Sequence, residues 1–379
     1  MSSALSFSRV RRFRLSFWQA VFYLLVALGL YSLIVRFSAG LGTATNLSDA
    51  FPWGLWVGFD VMCGVGLAAG GFTMAAMVYI FNIERFRPIV RPAVLTAFLG
   101  YLLVIMGLLA DIGQPWRIWH PLVMWNPHSV MFEVSWCVTL YTIVLFLEFL
   151  PIVFERFRMK KMLTLFKHIT IPVVILGVIF STLHQSSLGS VYLIVPEKLH
   201  PLWYSSLLPV HFFITAVAVG FAMVILESNL SARAFDKKLE TPLLMDLARV
   251  LVFVLGMALL LRFQDLSRNG ALDLLFVNEP VTWLFWVEIL LGMVVPIVLL
   301  AIPRVRANQQ ALFLCSLLAV LGFIANRLNV AITGMESYAR VNYFPSWMEI
   351  SVTLMLVALG FAAFRLAVRY LPIFGKPLN

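Results

Sequence analysis

The stretch ITIPVVILGVIFSTLHQSS, residues 169–187, runs without a charged side chain until it ends in His184, Gln185 and serines. From Ile171 to Ser181 it is continuously apolar, with none of the alternation that marks a strand of a membrane barrel. In hydrocarbon each backbone N–H and C=O must find a partner within the protein, so such a segment has to be helical. Similar windows recur at roughly 15–38, 55–82, 90–113, 129–153, 206–231, 242–266, 280–303, 309–333 and 347–372. With 164–186 they make ten, each long enough to cross ~30 Å of hydrocarbon. The whole chain is 61% hydrophobic and only 12% charged, whereas about a quarter of a soluble domain is charged. These features predict an all-α membrane protein of about ten transmembrane helices, one integral domain over residues 1–379.

Met1–Arg14 followed by the apolar Leu15–Phe37 imitates the start of a secretory signal, but the apolar run is too long for ordinary cleavage. Arg11 and Arg12 lack the rest of a twin-arginine pattern, so the segment reads as an uncleaved first span. The net charge of +10 does not point to nucleic acid, because the basic residues lie in short loops between spans. Assigning alternate loops to opposite sides gathers Arg9, Arg11, Arg12, Arg14, Arg85, Arg87, Arg91, Arg156, Arg158, Lys160, Lys161, Lys167, Arg233, Lys237, Lys238, Arg304, Arg306, Arg365, Arg369 and Lys376 on one side, twenty of the 28 basic residues. The other side receives Arg36, Arg117, Lys198, Arg262, Arg268, Arg327 and Arg340, and Arg249 falls inside a span. The positive-inside rule then puts both termini in the cytoplasm of a prokaryote and the chain in its inner membrane. Of the outer segments, Asp111–Ser129 holds Trp116, Trp119 and Trp125, which suits either an aromatic belt or a docking surface.

Cys63, Cys137 and Cys315 sit singly in different spans, which excludes a four-cysteine iron–sulfur site on this chain. Of His120, His128, His168, His184, His200 and His211, only His184 and His211 suit a transmembrane haem pair, and one such pair is a weak signal. GVGLAAGG, residues 64–71, sits mid-span without a preceding strand, so its spacing serves close helix approach rather than a nucleotide.

The ionisable residues of the spans cluster near the ends on the poorly basic side: Asp60, Asp111, Glu133, His184, His211, Arg262, Asp265, Glu288 and Arg327. Charge at the centre of a membrane helix costs ~2.5–3.5 kcal/mol per residue on insertion scales, so such clustering marks a site. Spans two to five and six to nine share one in-and-out order. They are expected to form two tandem four-helix bundles, 55–186 and 206–333, flanked by spans one and ten. In the second set arginines face the carboxylates, which favours structural ion pairing among Arg262, Asp265, Glu288 and Arg327. In the first set no basic residue of a span compensates Asp60, Asp111 and Glu133. Glu133, Cys137, Leu140, Tyr141, Val144 and Glu148 make one helical stripe, with its glutamates about 22 Å apart.

Unpaired carboxylates, an imidazole and an amide at one depth, opening on apolar surface, suit quinone chemistry. Two electrons and two protons move, carbonyls need donors, and the ring needs an apolar slot. Asp60, Asp111, Glu133 and His184 are the expected proton-exchanging groups. His184, Gln185, His128, Trp136 and Tyr141 are the candidate quinone contacts. A proton-coupled transporter, a structural anchor and a haem b protein are the competing readings.

At FPWGLWVGFD (51–60), RPAVLTAFLGY (91–101), NPHSVMFEVSWC (126–137), LHQSSLGS (183–190), KLHPLWY (198–204), NRLNV (326–330) and YFPSWMEI (343–350), the sequence resembles the NrfD/PsrC family of membrane subunits. It is most similar to the ten-helix branch that includes a hydrogenase membrane subunit. The resemblance implies an integral subunit without haem or iron–sulfur cluster of its own, binding menaquinone or a similar quinone near the outer face. It also implies a ferredoxin-like iron–sulfur partner on that face. That partner would connect to a nickel–iron hydrogenase, a molybdoenzyme, or a cytochrome or sulfur-metabolism subunit. A proton path from the cytoplasm is implied too, with Glu148 and Glu227 as candidates beside Glu288, Asp265, Arg262 and Arg327.

Overall fold

The computed structural model describes residues 16–374; Arg9, Arg11, Arg12, Arg14 and Lys376 lie outside them. Ten membrane-length apolar helices follow one another. They are α1 (Phe17–Ala39), α2 (Trp56–Ile80), α3 (Glu84–Asp111), α4 (Val130–Arg156), α5 (Lys160–Ile194), α6 (Leu208–Ala234), α7 (Thr241–Arg268), α8 (Pro280–Ala301), α9 (Gln309–Ser337) and α10 (Trp347–Tyr370). No strand occurs among the described residues. The protein is thus an all-α membrane protein, as its apolar windows predict. The fifth helix runs further than its apolar window at both ends, through Lys160–Lys167 and on to Ile194. Backbone hydrogen bonding continues past the polar residues that ended the hydropathy signal.

Helix α3 packs on α2 and α4, α4 on α5, and α5 back on α2. Likewise α6 packs on α7, α7 on α8, α8 on α9, and α9 on α6. The two groups meet where α6 lies on α2 and α5 and where α9 lies on α2, while α1 and α10 pair with each other against α3. Loops 81–83, 157–159, 235–240 and 302–308 lie at the arginine- and lysine-rich face, called here the basic face. Loops 40–55, 112–129, 195–207, 269–279 and 338–346 lie at the opposite, low-charge face.

Helix α2 is the hub: 89% of its most apolar window is buried, against 17% for α1 and α5. Such burial needs small residues. A Cβ on Gly66 would lie 2.1 Å from the Phe323 ring of α9, so only glycine admits that ring. The helix winds into wide π turns at Trp56–Cys63 and Ala76–Ile80. A π turn changes the direction of every later side chain and often sits at a functional site. Around the interruption at residues 68–69, the Thr73 hydroxyl donates to the Ala69 and Gly70 carbonyls at 3.0 and 3.1 Å.

Replacing Gly66 with leucine is expected to force α9 off α2 and destabilise the fold by about 1–3 kcal/mol or more. A thermal scan of the detergent-solubilised chain measures it, and an unchanged midpoint would contradict the packing described.

Candidate functional site

The first wide turn of α2 aims Asp60 at α3 and α10. Its Oδ2 accepts a hydrogen bond from Thr353 Oγ1 of α10 at 2.7 Å. Gly107 of α3 comes so near that a Cβ there would stand 2.7 Å from Asp60 Cβ. Asp60 thereby lies at one end of a cavity of ≈ 580 Å³ enclosed by α2, α3, α6 and α10. The walls are apolar or small: Gly64, Leu67, Leu103, Val104, Leu226 and Phe361. A second carboxylate, Glu227 of α6, lines the same cavity nearer the basic face and accepts from Thr96 Oγ1 at 2.8 Å. Thr96 and Gly107 are about 17 Å apart along α3, which measures the separation of the two acids across the membrane. Exposed Leu230, Val357 and Phe361 mark where the cavity opens to the lipid side.

At the low-charge end, Asp111 is compensated, contrary to the expectation that no basic span residue faces the first set. Arg36, only 3% exposed near the end of α1, donates from Nε to the Ala110 carbonyl at 2.6 Å and also to that of Ile112. Its charge acts on Asp111, whose Oδ1 is buried without a hydrogen-bond partner. Counting loops places Arg36 on the outer side, and nothing in the order of residues brings it to the C-terminus of α3. Glu349 and Thr353 of α10 are further polar residues that the sequence does not single out. Fully buried Glu349 accepts from the Asn46 and Ser346 backbone N–H groups at 3.0 and 2.8 Å and from the Tyr343 hydroxyl. Burial holds the Tyr343 phenol well above its usual pKa, so it donates as the neutral group. The Ser346-x-x-Glu349 capping box in YFPSWMEI was the available sequence signal, and it announces a helix start rather than a site.

His184 and Gln185 do not join Asp60; they lie within α2–α5, on the other side of α2. Gln185 Nε2 donates to the Val65 carbonyl of α2 at 3.2 Å. The His184 ring lies 5.8 Å from that of Tyr101, which meets Tyr141 edge-on at 4.7 Å. The Tyr101 and Tyr141 hydroxyls, Ser181 Oγ, both His184 nitrogens and one Glu148 oxygen are all buried without hydrogen-bond partners. Glu148 lies against Gly177 of α5, seven residues below His184 on the same helix. This makes a polar column through the bundle, and buried polar atoms of that kind are ordinarily satisfied by internal water.

The remaining candidates of the first set lie at the low-charge surface. Glu133 is exposed in the first turn of α4 and accepts from Ser187 Oγ at 2.6 Å. His128 lies exposed in the loop before α4 rather than in the cavity. Trp136 donates to the Pro121 carbonyl at 2.8 Å and packs on Trp125 at 4.8 Å, pinning that loop to α4. The expected single constellation of Asp60, Asp111, Glu133, His184 and Gln185 is therefore divided among four surroundings.

The second set is hydrogen-bonded rather than ion-paired as expected: among the described residues neither Arg262 nor Arg327 pairs with a carboxylate, and Arg262 Nε and His211 Nε2 are buried without a hydrogen-bond partner. Glu288 accepts from Trp203 Nε1 at 3.0 Å, Asn326 Nδ2 at 2.7 Å and Asn329 Nδ2 at 2.8 Å. Arg327 donates to Asn326 Oδ1, the Phe212 carbonyl and Thr215 Oγ1, its guanidinium 3.7 Å from the Phe212 ring centroid. Arg262 donates to the Leu202 carbonyl at 2.6 Å, and His211 Nε2 lies 3.4 Å from Asp265. Beside them is a cavity of ≈ 50 Å³, room for a water or two.

A haem does not fit these histidines. His211 faces Asp265 beside a space of ≈ 50 Å³, and His184 is packed against tyrosine in a different helix group. No cluster of metal-ligating side chains occurs among the described residues.

The family model described as "Polysulphide reductase, NrfD" matches residues 43–339. The probable Ni/Fe-hydrogenase 2 b-type cytochrome subunit of Escherichia coli is 34% identical, over 93% of this chain and 91% of that protein. The menaquinone reductase integral membrane subunit of Nitratidesulfovibrio vulgaris is 30% identical, over 95% and 92%. The Hdr-like menaquinol oxidoreductase integral membrane subunit of Archaeoglobus fulgidus is 24% identical, over 97% and 96%.

Removing Glu288 would leave Trp203 Nε1, Asn326 Nδ2 and Asn329 Nδ2 without their acceptor and take away the negative charge nearest buried Arg262 and Arg327, so Glu288→Ala should cost about 3–5 kcal/mol. Asn326→Ala, which removes one hydrogen bond to that carboxylate, should cost about 1–3 kcal/mol. Unfolding of the purified chain in detergent checks the order, and equal effects would contradict the network.

Proposed function

The chain belongs to the NrfD family, and on that footing we propose that it is the quinone-reactive membrane subunit of a respiratory oxidoreductase complex. It exchanges electrons between menaquinone or menaquinol and an iron–sulfur partner seated on the low-charge face. The observation that carries the reading is the apolar cavity of ≈ 580 Å³ with Asp60 at one end. Its volume lies in the ~300–1,000 Å³ range of small-molecule sites, with apolar walls and few polar groups. The relatives named for menaquinone and menaquinol chemistry support the choice of ligand.

A bound quinone supplies two-electron, two-proton redox chemistry. Asp60 holds a proton at the carbonyl end of the slot: Thr353 fixes Oδ2 and leaves Oδ1 free to give or take one. Leu67, Leu103, Leu226 and Phe361 exclude water and accept the ring and tail. Glu227, held by Thr96, exchanges protons further down the same cavity. The column from His184 through Ser181 and Tyr141 to Glu148 offers a second, water-dependent proton route and supports a translocating role. Half or more of Trp116, Trp119 and Trp125 is exposed on the low-charge face, an apolar surface fit for the partner. The excess of basic residues on the other face argues that this partner is periplasmic and the termini cytoplasmic.

In the assembled complex, Asp60→Asn should lower quinone-linked turnover by about 10²-fold or more, the scale of a lost acid–base group. Glu133→Gln should change it by only a few-fold, with co-purification of the partner subunits unchanged in both. Normal turnover with Asp60→Asn would overturn the assignment of Asp60.

A further inference from the structure

At the basic-face end of the cavity, beyond Phe235 and Arg365, the surface opens into a second concavity of ≈ 610 Å³. Arg365 and Arg369 of α10 and Lys237 of the α6–α7 loop line it together with Phe235, Ile373 and Phe374, and no acidic side chain does. Elsewhere on that face arginines meet carboxylates: Arg85 and Arg249 share Asp246 at 2.7 and 2.6 Å, and Arg87 reaches Glu84 at 3.1 Å. Among the described residues, none of Lys237, Arg365 and Arg369 makes an ion pair. All three are exposed.

The concavity has a built wall. Arg91 Nη1 donates to the Pro372 carbonyl at 2.9 Å while its other arm binds Glu155, which pins the segment after α10. Ile373 is 1% exposed against Leu95 and Ile152, and the Phe374 ring lies 6.0 Å from Phe235 and 5.8 Å from the Lys237 ammonium. Cations therefore stand at the rim, aromatic rings form the floor, and the bilayer begins at once: Phe361, Leu366 and Tyr370 of α10 are more than half exposed.

We propose that this concavity binds an anionic phospholipid, its phosphodiester on Lys237, Arg365 and Arg369 and an acyl chain along the apolar surface of α10. Charge complementarity selects an anion, and unbroken contact with lipid-facing surface selects one that carries a chain. The site is separate from the Asp60 end of the cavity and stands whether or not a quinone binds there.

The test uses the full chain in a non-ionic detergent, examined by native mass spectrometry with phosphatidylglycerol and with phosphatidylcholine of the same acyl chains. Phosphatidylglycerol should be retained at least about fivefold better, one favourable contact's worth at a charged membrane surface. Combining Lys237→Gln, Arg365→Gln and Arg369→Gln should reduce it to the phosphatidylcholine level with the lipid-free melting midpoint unchanged. Lys160→Gln with Lys161→Gln, on the same face but outside the concavity, should leave the preference intact. Equal retention of the two lipids, survival of the preference in the first variant, its loss in the second, or full displacement by inorganic phosphate would each overturn the proposal. If the first variant fails to fold, the single substitution Arg369→Gln must reduce the preference by itself.

Discussion

The burial of α2 on every side is the constraint from which the rest of the structure follows. A helix in contact with α3, α5, α6, α9 and α10 has no side to give to lipid, so its residues must be small or must find partners in the protein. The glycines of residues 64–71 meet the first need, admitting the Phe323 ring and the backbone of α6. The wide turns meet the second, turning Asp60 toward Thr353 while Met62, two residues on, lies against Tyr192 of α5. One helix thus separates the two polar interiors of the molecule.

Each interior resolves the cost of buried charge differently. Around Glu288 both oxygens of the carboxylate meet donors, and the arginines are bonded to carbonyls and lie over rings, so the charges stabilise one geometry. At the low-charge end of α2, Arg36 is spent mostly on backbone carbonyls and reaches Asp111 only through space. Glu349 there is saturated by backbone N–H groups and Tyr343. Asp60, like Glu227 further along, has one bonded oxygen and lines the cavity. Tyr101 and His184 have no direct hydrogen-bond partner, and Tyr141 faces Ser181 and the Phe72 backbone without closing a well-formed hydrogen bond to either. Rigid pairing belongs to architecture, and incomplete pairing is where proton exchange becomes feasible.

Ten helices were legible because hydropathy is a property of each segment, and the family was legible because its short motifs are contiguous. The grouping of side chains was not. Asp60 and Thr353 are separated by 293 positions and Arg36 and Ala110 by 74, and neither pair leaves a trace in periodicity. Counting depth from span ends put Asp60, Glu133 and His184 at one level, which is a statement about height and not direction. The π turns that set the direction of Asp60 have no sequence signature comparable to a proline or a cap. Glu133 follows the window edge and so reads as buried, yet in the first turn of α4 it faces the surface while bonded to Ser187 of α5.

We place the reactive slot between α2, α3, α6 and α10, with Asp60 at its end, and not around His184. A photoactivatable menaquinone analogue, cross-linked in the membrane-embedded complex and mapped by peptide mass spectrometry, tests it most directly. Labels are expected on Leu103, Val104, Leu356 and Phe361, suppressed by excess menaquinone. Suppressible labels confined to α4 and α5 around Tyr141 and His184 would contradict it.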